Sequence, residues 1–331
     1  MEAAPLIEFV SAAEYGDMDA VAQLYTDSFA EYYSAGQLVP VAVSAEDLAS
    51  YLREEQMGLA NCPVVLVDGV AAGLATVGVR PDEGTAWCKG FGIVEQFRGA
   101  HLGIPLAEEM KRRARAAGAT RYMTLGCMGD NWPAIKTYEK SGFSIAHECF
   151  SMEWNRPAAA AEQPRKPPGS GLTIADIDAH SLLIGAYDRL HQSSTPVWNR
   201  QRPSLEEMSG LRGLAVPSGP GCAVLADDCD SYVLFRPSTD VLSSSDGVVA
   251  ILDLCGTVAG MTALLTELQR RYKQLAVNSE SDHSPALPCL RQAGFTVSHQ
   301  RLHMVASLGG SETVDDEAKL RDAVIRPRAK L

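Results

Sequence analysis

Apolar positions along the first 155 residues switch between a period of two and a period near 3.6, which predicts strands and helices in alternation. "LIEFV" (6–10) opens as a strand, and "DMDAVAQLYTDSFAEYY" (17–33) follows with helical spacing. "SAEDLASYLREE" (44–55) starts another helix behind the capping pair Ser44 and Asp47. "PVVLVDGVAAGLATVGV" (63–79) turns back on Asp68-Gly69, a strong hairpin signal between apolar runs. "TAWCKGFGIV" (85–94) is a strand, and "IPLAEEMKRRARAA" (104–117) is a helix whose Pro105 is tolerated in the first turn. "RYMTLGC" (121–127) returns as a strand, "PAIKTYEKS" (133–141) is a short helix ended by Gly142, and "FSIAHECFSMEW" (143–154) closes the unit. The order reads β-α-α-β-β-β-α-β-α-β-β.

Beyond this unit the pattern lapses. Residues 156–171, "RPAAAAEQPRKPPGSG", are rich in Pro, Ala and Gly without apolar period, as an interdomain linker would be. Residues 309–331 contain few large apolar side chains and read as a mobile tail or a loosely docked helix. Between them, residues 172–308 hold a second copy of the front unit. "DNWPAIKTYEKSGFSIAH" (130–147) and "DHSPALPCLRQAGFTVSH" (282–299) superpose without a gap, and "RGAHLG" (98–103) falls over "CGTVAG" (255–260) with both glycines aligned. In that register Arg98 becomes Cys255, Asn131 becomes His283 and Tyr138 becomes Leu290, so the copies differ where chemistry would matter.

The 331 residues suffice for two cores of common size. No run of about 18 apolar residues occurs and the opening lacks the layout of an export signal, so the expectation is a cytoplasmic protein without a membrane span. The eight cysteines form neither a CxxC pair nor a Cys/His cluster, which points to reduced structural thiols and no metal site. Of the net charge of -12, residues 1–155 contribute 11 Lys+Arg against 21 Asp+Glu, or -10. No basic face is evident, and nucleic-acid binding is disfavoured.

"VEQFRGAHLG" (94–103) joins a strand to a helix through glycines, an arrangement that gathers backbone N–H groups and the positive helix end around one point. A pyrophosphate suits such a point, although a tight strand-to-helix turn uses the same residues. The spacing is neither GxGxxG nor GxxxxGK[ST], so a dinucleotide fold and a P-loop NTPase are poor matches.

This strand, loop and helix, followed by "NWPAIKTYEKSGF" (131–143), resemble the GNAT superfamily of acyl-CoA-dependent N-acetyltransferases over roughly residues 5–155. The rear half resembles a degenerate second copy, as in tandem members of the family. The resemblance implies an α/β (α+β) chain of two tandem GNAT-like domains, 1–155 and 172–308, each a mixed, mostly antiparallel sheet flanked by helices. It implies that Arg98, Gly99, Ala100, His101, Leu102 and Gly103 match the loop whose amides hold the coenzyme A pyrophosphate, with His101 where the family has glycine. Ile93 and Val94 match the splayed strand end whose backbone pairs with the pantetheine arm, Asn131 the asparagine that touches that arm, and Tyr138 the tyrosine that protonates the departing thiolate.

For Tyr138 the chemistry is plausible on its own terms, because a phenol of pKa about 10 held against a thiolate of pKa about 8.5 can donate as charge develops. The aromatic could equally be packing. Glu83 is a candidate general base, and Cys88 or Cys127 could in principle carry an acyl group, although direct transfer is the family's norm. The expected activity is acetyl transfer from acetyl-CoA, or another acyl-CoA, to the amine of a small molecule. The other readings are an acyl-CoA sensor without turnover and an enzyme for a protein or peptide amine. A cationic acceptor is expected from the first 60 residues, where Arg53 is the lone basic residue against 11 acidic ones, with Tyr32 and Tyr33 as flat contacts. Solubility alone would also explain that acidity.

Overall fold

A computed structural model describes residues 4–35, 42–157, 172–191, 196–219, 225–237, 248–309 and 324, the side chains of 31–35 and 199 excepted. The linker lies almost wholly outside the described residues, as do nearly all of the tail, Cys222 and the side chains of Tyr32 and Tyr33. The chain forms two compact units.

The first unit begins with strand β1 (Ile7–Ser11) and helices α1 (Ala12–Tyr15), α2 (Met18–Ala35) and α3 (Ala45–Glu54). Ser11 and Glu14 form a reciprocal capping box on α1, and Ser44 caps α3 by accepting from the Asp47 amide at 3.1 Å. Strands β2 (Pro63–Val67) and β3 (Val70–Arg80) meet at Asp68 and Gly69, whose φ of 49° and 77° give the two positive values of a type I′ hairpin. Strand β4 (Thr85–Ile93), helix α4 (Gly103–Ala116), strand β5 (Tyr122–Met128) and helix α5 (Trp132–Lys140) come next, and Gly142 at φ 80° stops α5. Neighbours β1 to β4 pair antiparallel in chain order, and β4 pairs parallel with β5. Leu48, Val64, Leu74, Leu106, Met110, Met123 and Ile135 are buried between sheet and helices.

Where the sequence suggests two closing strands, one strand β6 (Ser144–Asn155) runs unbroken, since no turn residue interrupts its twelve positions. From His147 onward it belongs to the second unit.

The second unit contains strand β7 (Ala175–Ile177), helix α6 (Ala179–Leu182), a π-turn Leu183–Tyr187, and helices α7 (Asp188–Leu190) and α8 (Arg202–Glu206). Strands β8 (Arg212–Pro217), β9 (Cys229–Pro237) and β10 (Val248–Gly256) come next, then helix α9 (Val258–Arg271), strand β11 (Gln274–Ser281), helix α10 (Ala286–Gln292) and strand β12 (Thr296–Ser307). β6 pairs antiparallel with β11, β11 parallel with β10, and β10, β9, β8 and β7 pair antiparallel in series. One core cluster is built on Val233, Phe235, Leu264, Leu268 and Leu287, another on Leu182, Leu205, Leu234 and Tyr232. The end of β12, from His303, belongs to the first unit.

Candidate functional site

β4 and β5 pair only as far as Cys88 and Leu125, whereas β4 stays on β3 to its last residue. Lys89 is an extra residue in β4, because Thr76 faces Gly90 while Val77 faces Cys88. A bulge of this kind bends its strand and re-aims the residues beyond it. Past it, the β5 side of β4 is open.

The Val94 amide donates to the Ala72 carbonyl at 2.9 Å, which fixes the alternation. Ile93 and Phe91, in the intervening non-bonded pairs, direct their N–H and C=O groups away from β3 and into the split. Sequence reasoning names Ile93 but misses Phe91. The backbone of Val94 is committed on both sides, since its carbonyl accepts from the Phe97 amide at 2.9 Å. Its amide is therefore taken, while the amides of Ile93 and Phe91 remain open on the β5 side.

Residues 94–102 make the loop. Arg98 donates from Nε to the Ile93 carbonyl at 3.1 Å, tying the loop back to the strand end. Gly99 has φ 81° and open space around its missing Cβ, so it serves the turn and leaves the backbone bare. Among the described residues, the amides of Gly99, His101, Leu102, Gly103 and Ile104 have no hydrogen-bond partner, and Leu102 supplies no side-chain cap to α4. Uncapped amides on a 14-residue helix form an anion cradle.

Gly103 has a different duty from the one its motif position suggests. A Cβ there would stand 2.9 Å from Thr137 Cγ2, so this glycine lets α5 pack against the start of α4. His101 has φ 60° and is exposed, so the position does demand the left-handed region. We expect His101→Gly to stabilise the protein by up to about 1 kcal/mol, without weakening anion binding. Denaturant unfolding of the variant checks this, and a loss of stability would mean that the imidazole makes a favourable contact.

α5 brings Tyr138 to the split. Its ring is buried, edge-on to Phe91 with centroids 5.3 Å apart and to Phe143 at 5.8 Å. Burial, reinforced by the neighbouring thiols of Cys88 and Cys127, pushes its pKa well above the usual tyrosine value. Its hydroxyl has no hydrogen-bond partner among the described residues. The result is a fixed ring, a retained proton and an uncommitted donor beside the strand whose backbone is open.

Asn131 caps α5, its Oδ1 accepting from the Ala134 amide at 3.2 Å. This leaves its NH2 group for other partners. Beside it, Trp132 is 62% exposed, a rim residue that sequence reasoning passed over. The thiols argue against an acyl-enzyme, because burial pushes Cys127 up to about 11 and Cys88 higher still.

Glu83 does not reach the site. It ends a turn before β4 and its carbonyl accepts from Arg121, while the split opens only past Lys89, about 20 Å along the strand. Part of the front acidity has local work: the Glu14, Asp17 and Asp47 carboxylates accept hydrogen bonds at helix starts. Glu55 is buried in an ion pair with Lys89, whose ammonium also lies over the Tyr51 ring at 4.8 Å.

The second unit keeps half of this arrangement. β10 and β11 pair only to Ile251 and Val277, and Leu252 is the extra residue against β9, so bulge and split recur at the same step. The cradle does not recur. Cys255 and Gly256 belong to β10 and Thr257 alone connects it to α9, which displaces the expected superposition of "CGTVAG" on the front loop. Thr257 caps α9 through the Gly260 amide and donates to Asp230 at 2.7 Å, setting a carboxylate beside the helix start. The other repeat holds through the helix end, with Gly294 at φ 84° stopping α10 as Gly142 stops α5.

Comparison with known proteins agrees with this geometry. Residues 18–143 match the model of the Acetyltransferase (GNAT) family. No curated protein matches the sequence. Among solved structures, a GCN5-related N-acetyltransferase from Sphaerobacter thermophilus superposes with TM-score 0.61 at 17% identity, covering 94% of this chain and 98% of its own. A tandem GNAT protein from the clavulanic acid biosynthesis pathway does so with TM-score 0.58 at 14% identity, over 93% and 100%. A GCN5-related N-acetyltransferase from Anabaena variabilis gives 0.56 at 13%, over 92% and 73%. At these identities the structural likeness is one of fold. No helix among the described residues is long and apolar enough to cross a membrane.

Proposed function

We propose that this chain, whose residues 18–143 form a domain of the Acetyltransferase (GNAT) family, transfers an acyl group from acyl-CoA, most simply acetyl-CoA, to the amine of a small molecule. The observation that carries the reading is the open end of β4, flanked by the uncapped start of α4 on one side and the Tyr138 hydroxyl on the other. In this reading residues 1–155 are the catalytic copy and 172–308 the degenerate one. The pyrophosphate rests on the amides from Gly99 to Ile104, with Arg98 bracing the loop. The pantetheine arm lies along Phe91 and Ile93 within reach of the Asn131 amide.

An amine placed in the split attacks the thioester carbonyl. The carbon–nitrogen bond forms as electrons move onto the oxygen, a strand N–H steadies that oxyanion, and its collapse expels the thiolate. The Tyr138 phenol supplies the thiolate's proton and is restored by the proton the amine gives up, relayed through solvent. Acidity before Ala60 favours a cationic amine through steering, less strongly than the raw count suggests because several carboxylates are committed to caps and to Lys89.

Calorimetric titration with acetyl-CoA should give a stoichiometry near one per chain, lost in Gly99→Glu, and an amine panel should release free CoA in steady state. Two equivalent sites would contradict the capped start of α9. Binding without CoA release from any amine would favour a sensor.

A further inference from the structure

The bulge in β4 puts a lysine at the vertex of the front split. Lys89 is the extra residue, and the parallel pairing of β4 with β5 ends one residue before it, at Cys88. Its side chain leaves the strand toward α2 and α3. There the ammonium is ion-paired with Glu55 and lies 4.8 Å from the centre of the Tyr51 ring, with 28% of the side chain exposed. Gly90 turns the same way, since a Cβ on it would stand 3.2 Å from Tyr25 and 3.5 Å from Phe29 of α2. Phe91 turns the other way, onto Tyr138 of α5.

These two directions divide the chemistry. The α5 face of the split is filled by the rings of Phe91, Tyr138 and Phe143, so a thioester lying there is open to a nucleophile from the α2–α3 face. Of the lysines in the front copy, Lys111 is on α4 and Lys136 and Lys140 are on α5. Lys89 is the one lysine on the open face.

We propose that Lys89 is an acceptor of this chain's own acyl transfer and becomes acetylated at Nζ when acetyl-CoA occupies the split, an inference that rests on the acyl-transfer reading. The four-carbon stem lets Nζ swing from Glu55 into the split, and nucleophile and thioester held in one molecule meet without a second encounter. Glu55 accepts one proton of the ammonium, Nζ adds to the thioester carbon, and the adduct expels the thiolate, which takes the Tyr138 proton. The second nitrogen proton, lost as the amide forms, passes through solvent to restore the phenol, and Glu55 releases the first to water. The amide carries no charge, so acetylation dissolves the ion pair between Lys89 and Glu55.

The test incubates the full chain with acetyl-CoA and no amine, and maps its peptides by mass spectrometry. One acetyl group should appear on Lys89 at a first-order rate that protein concentration does not change, while the exposed Lys136 and Lys140 report uncatalysed acetylation. Tyr138→Phe, which keeps the ring contacts, should slow the reaction at Lys89 about a hundredfold or more and leave Lys136 and Lys140 at the wild-type rate. Acetylation of Lys89 in a protein that turns over no amine of the panel would support the assignment. A bare Lys89 in a protein that does release CoA with an amine would overturn it and leave the acyl-transfer reading standing. Modification no faster than at Lys136, or equally fast in Tyr138→Phe, would mark the reaction as uncatalysed and overturn it too. A bare Lys89 with no CoA release from any amine would remove both readings.

Discussion

Replacing Tyr138 by Phe is expected to lower turnover by about a hundredfold to ten-thousandfold, the usual contribution of a positioned general acid, and to leave acetyl-CoA affinity little changed. The separation comes from how the residue is held. Its ring is fixed by edge-on contacts with Phe91 and Phe143, which phenylalanine repeats, whereas the hydroxyl supports nothing within the protein. Loss of kcat without loss of binding is the signature of an interaction made in the transition state. The buried environment also fixes the sign of the pH dependence. A pKa raised well above 10 keeps the phenol protonated throughout the assay range, so no alkaline limb below pH 10 should belong to this group. Pre-steady-state rates with chemistry limiting decide the matter. An unchanged rate returns Tyr138 to packing, and a parallel loss of affinity makes its hydroxyl a binding group.

The features of this site that the sequence disclosed and those it hid divide along contact range. The loop at Arg98–Gly103 and the helix carrying Tyr138 are each contiguous, so their residue order carries the signal, and turns at Asp68-Gly69 and Gly142 arise from local backbone preference. The commitment of Val94 depends on its register with Ala72, and the purpose of Gly103 on a threonine in another helix; neither is a property of the loop itself. Strand β6 has the same alternation whichever unit counts it, so the step at His147 from one unit to the other leaves no local trace.

The rear copy shows the limit most clearly. Aligning glycines placed Gly260 on Gly103, and both do relieve crowding at a helix start, Gly260 against Ser231, yet the loop they were thought to share is absent. His191, Arg200, Asp253 and Glu280 come from four separate segments with no spacing motif, and only folding brings them together.

That buried network makes the largest stability prediction. Asp253→Ala should cost about 3–5 kcal/mol, because it removes one partner and leaves the others in place. The Tyr232 hydroxyl and His191 Nε2 lose their acceptor, and Arg200 is left to Glu280 alone. At about 2–4 °C per kcal/mol for a unit of this size, the calorimetric transition should fall by roughly 10 °C. Arg202→Ala is the control, since its pairs with Glu206 and Asp188 are exposed and worth less than about 1 kcal/mol.

The effect also has a pH window. Burial alone would raise the Asp253 carboxyl, but His191, Arg200 and Tyr232 together hold it below its ordinary value. A carboxylate depressed in the folded state contributes fully above its unfolded pKa of about 3.9, and loses that contribution as pH falls through the folded value. The gap between wild type and Asp253→Ala should therefore be level from pH 8 to pH 5 and narrow only below about pH 4. A gap of less than about 1 kcal/mol at neutral pH, or one that closes between pH 7 and 5, would show that Asp253 is not the charged hub the geometry describes.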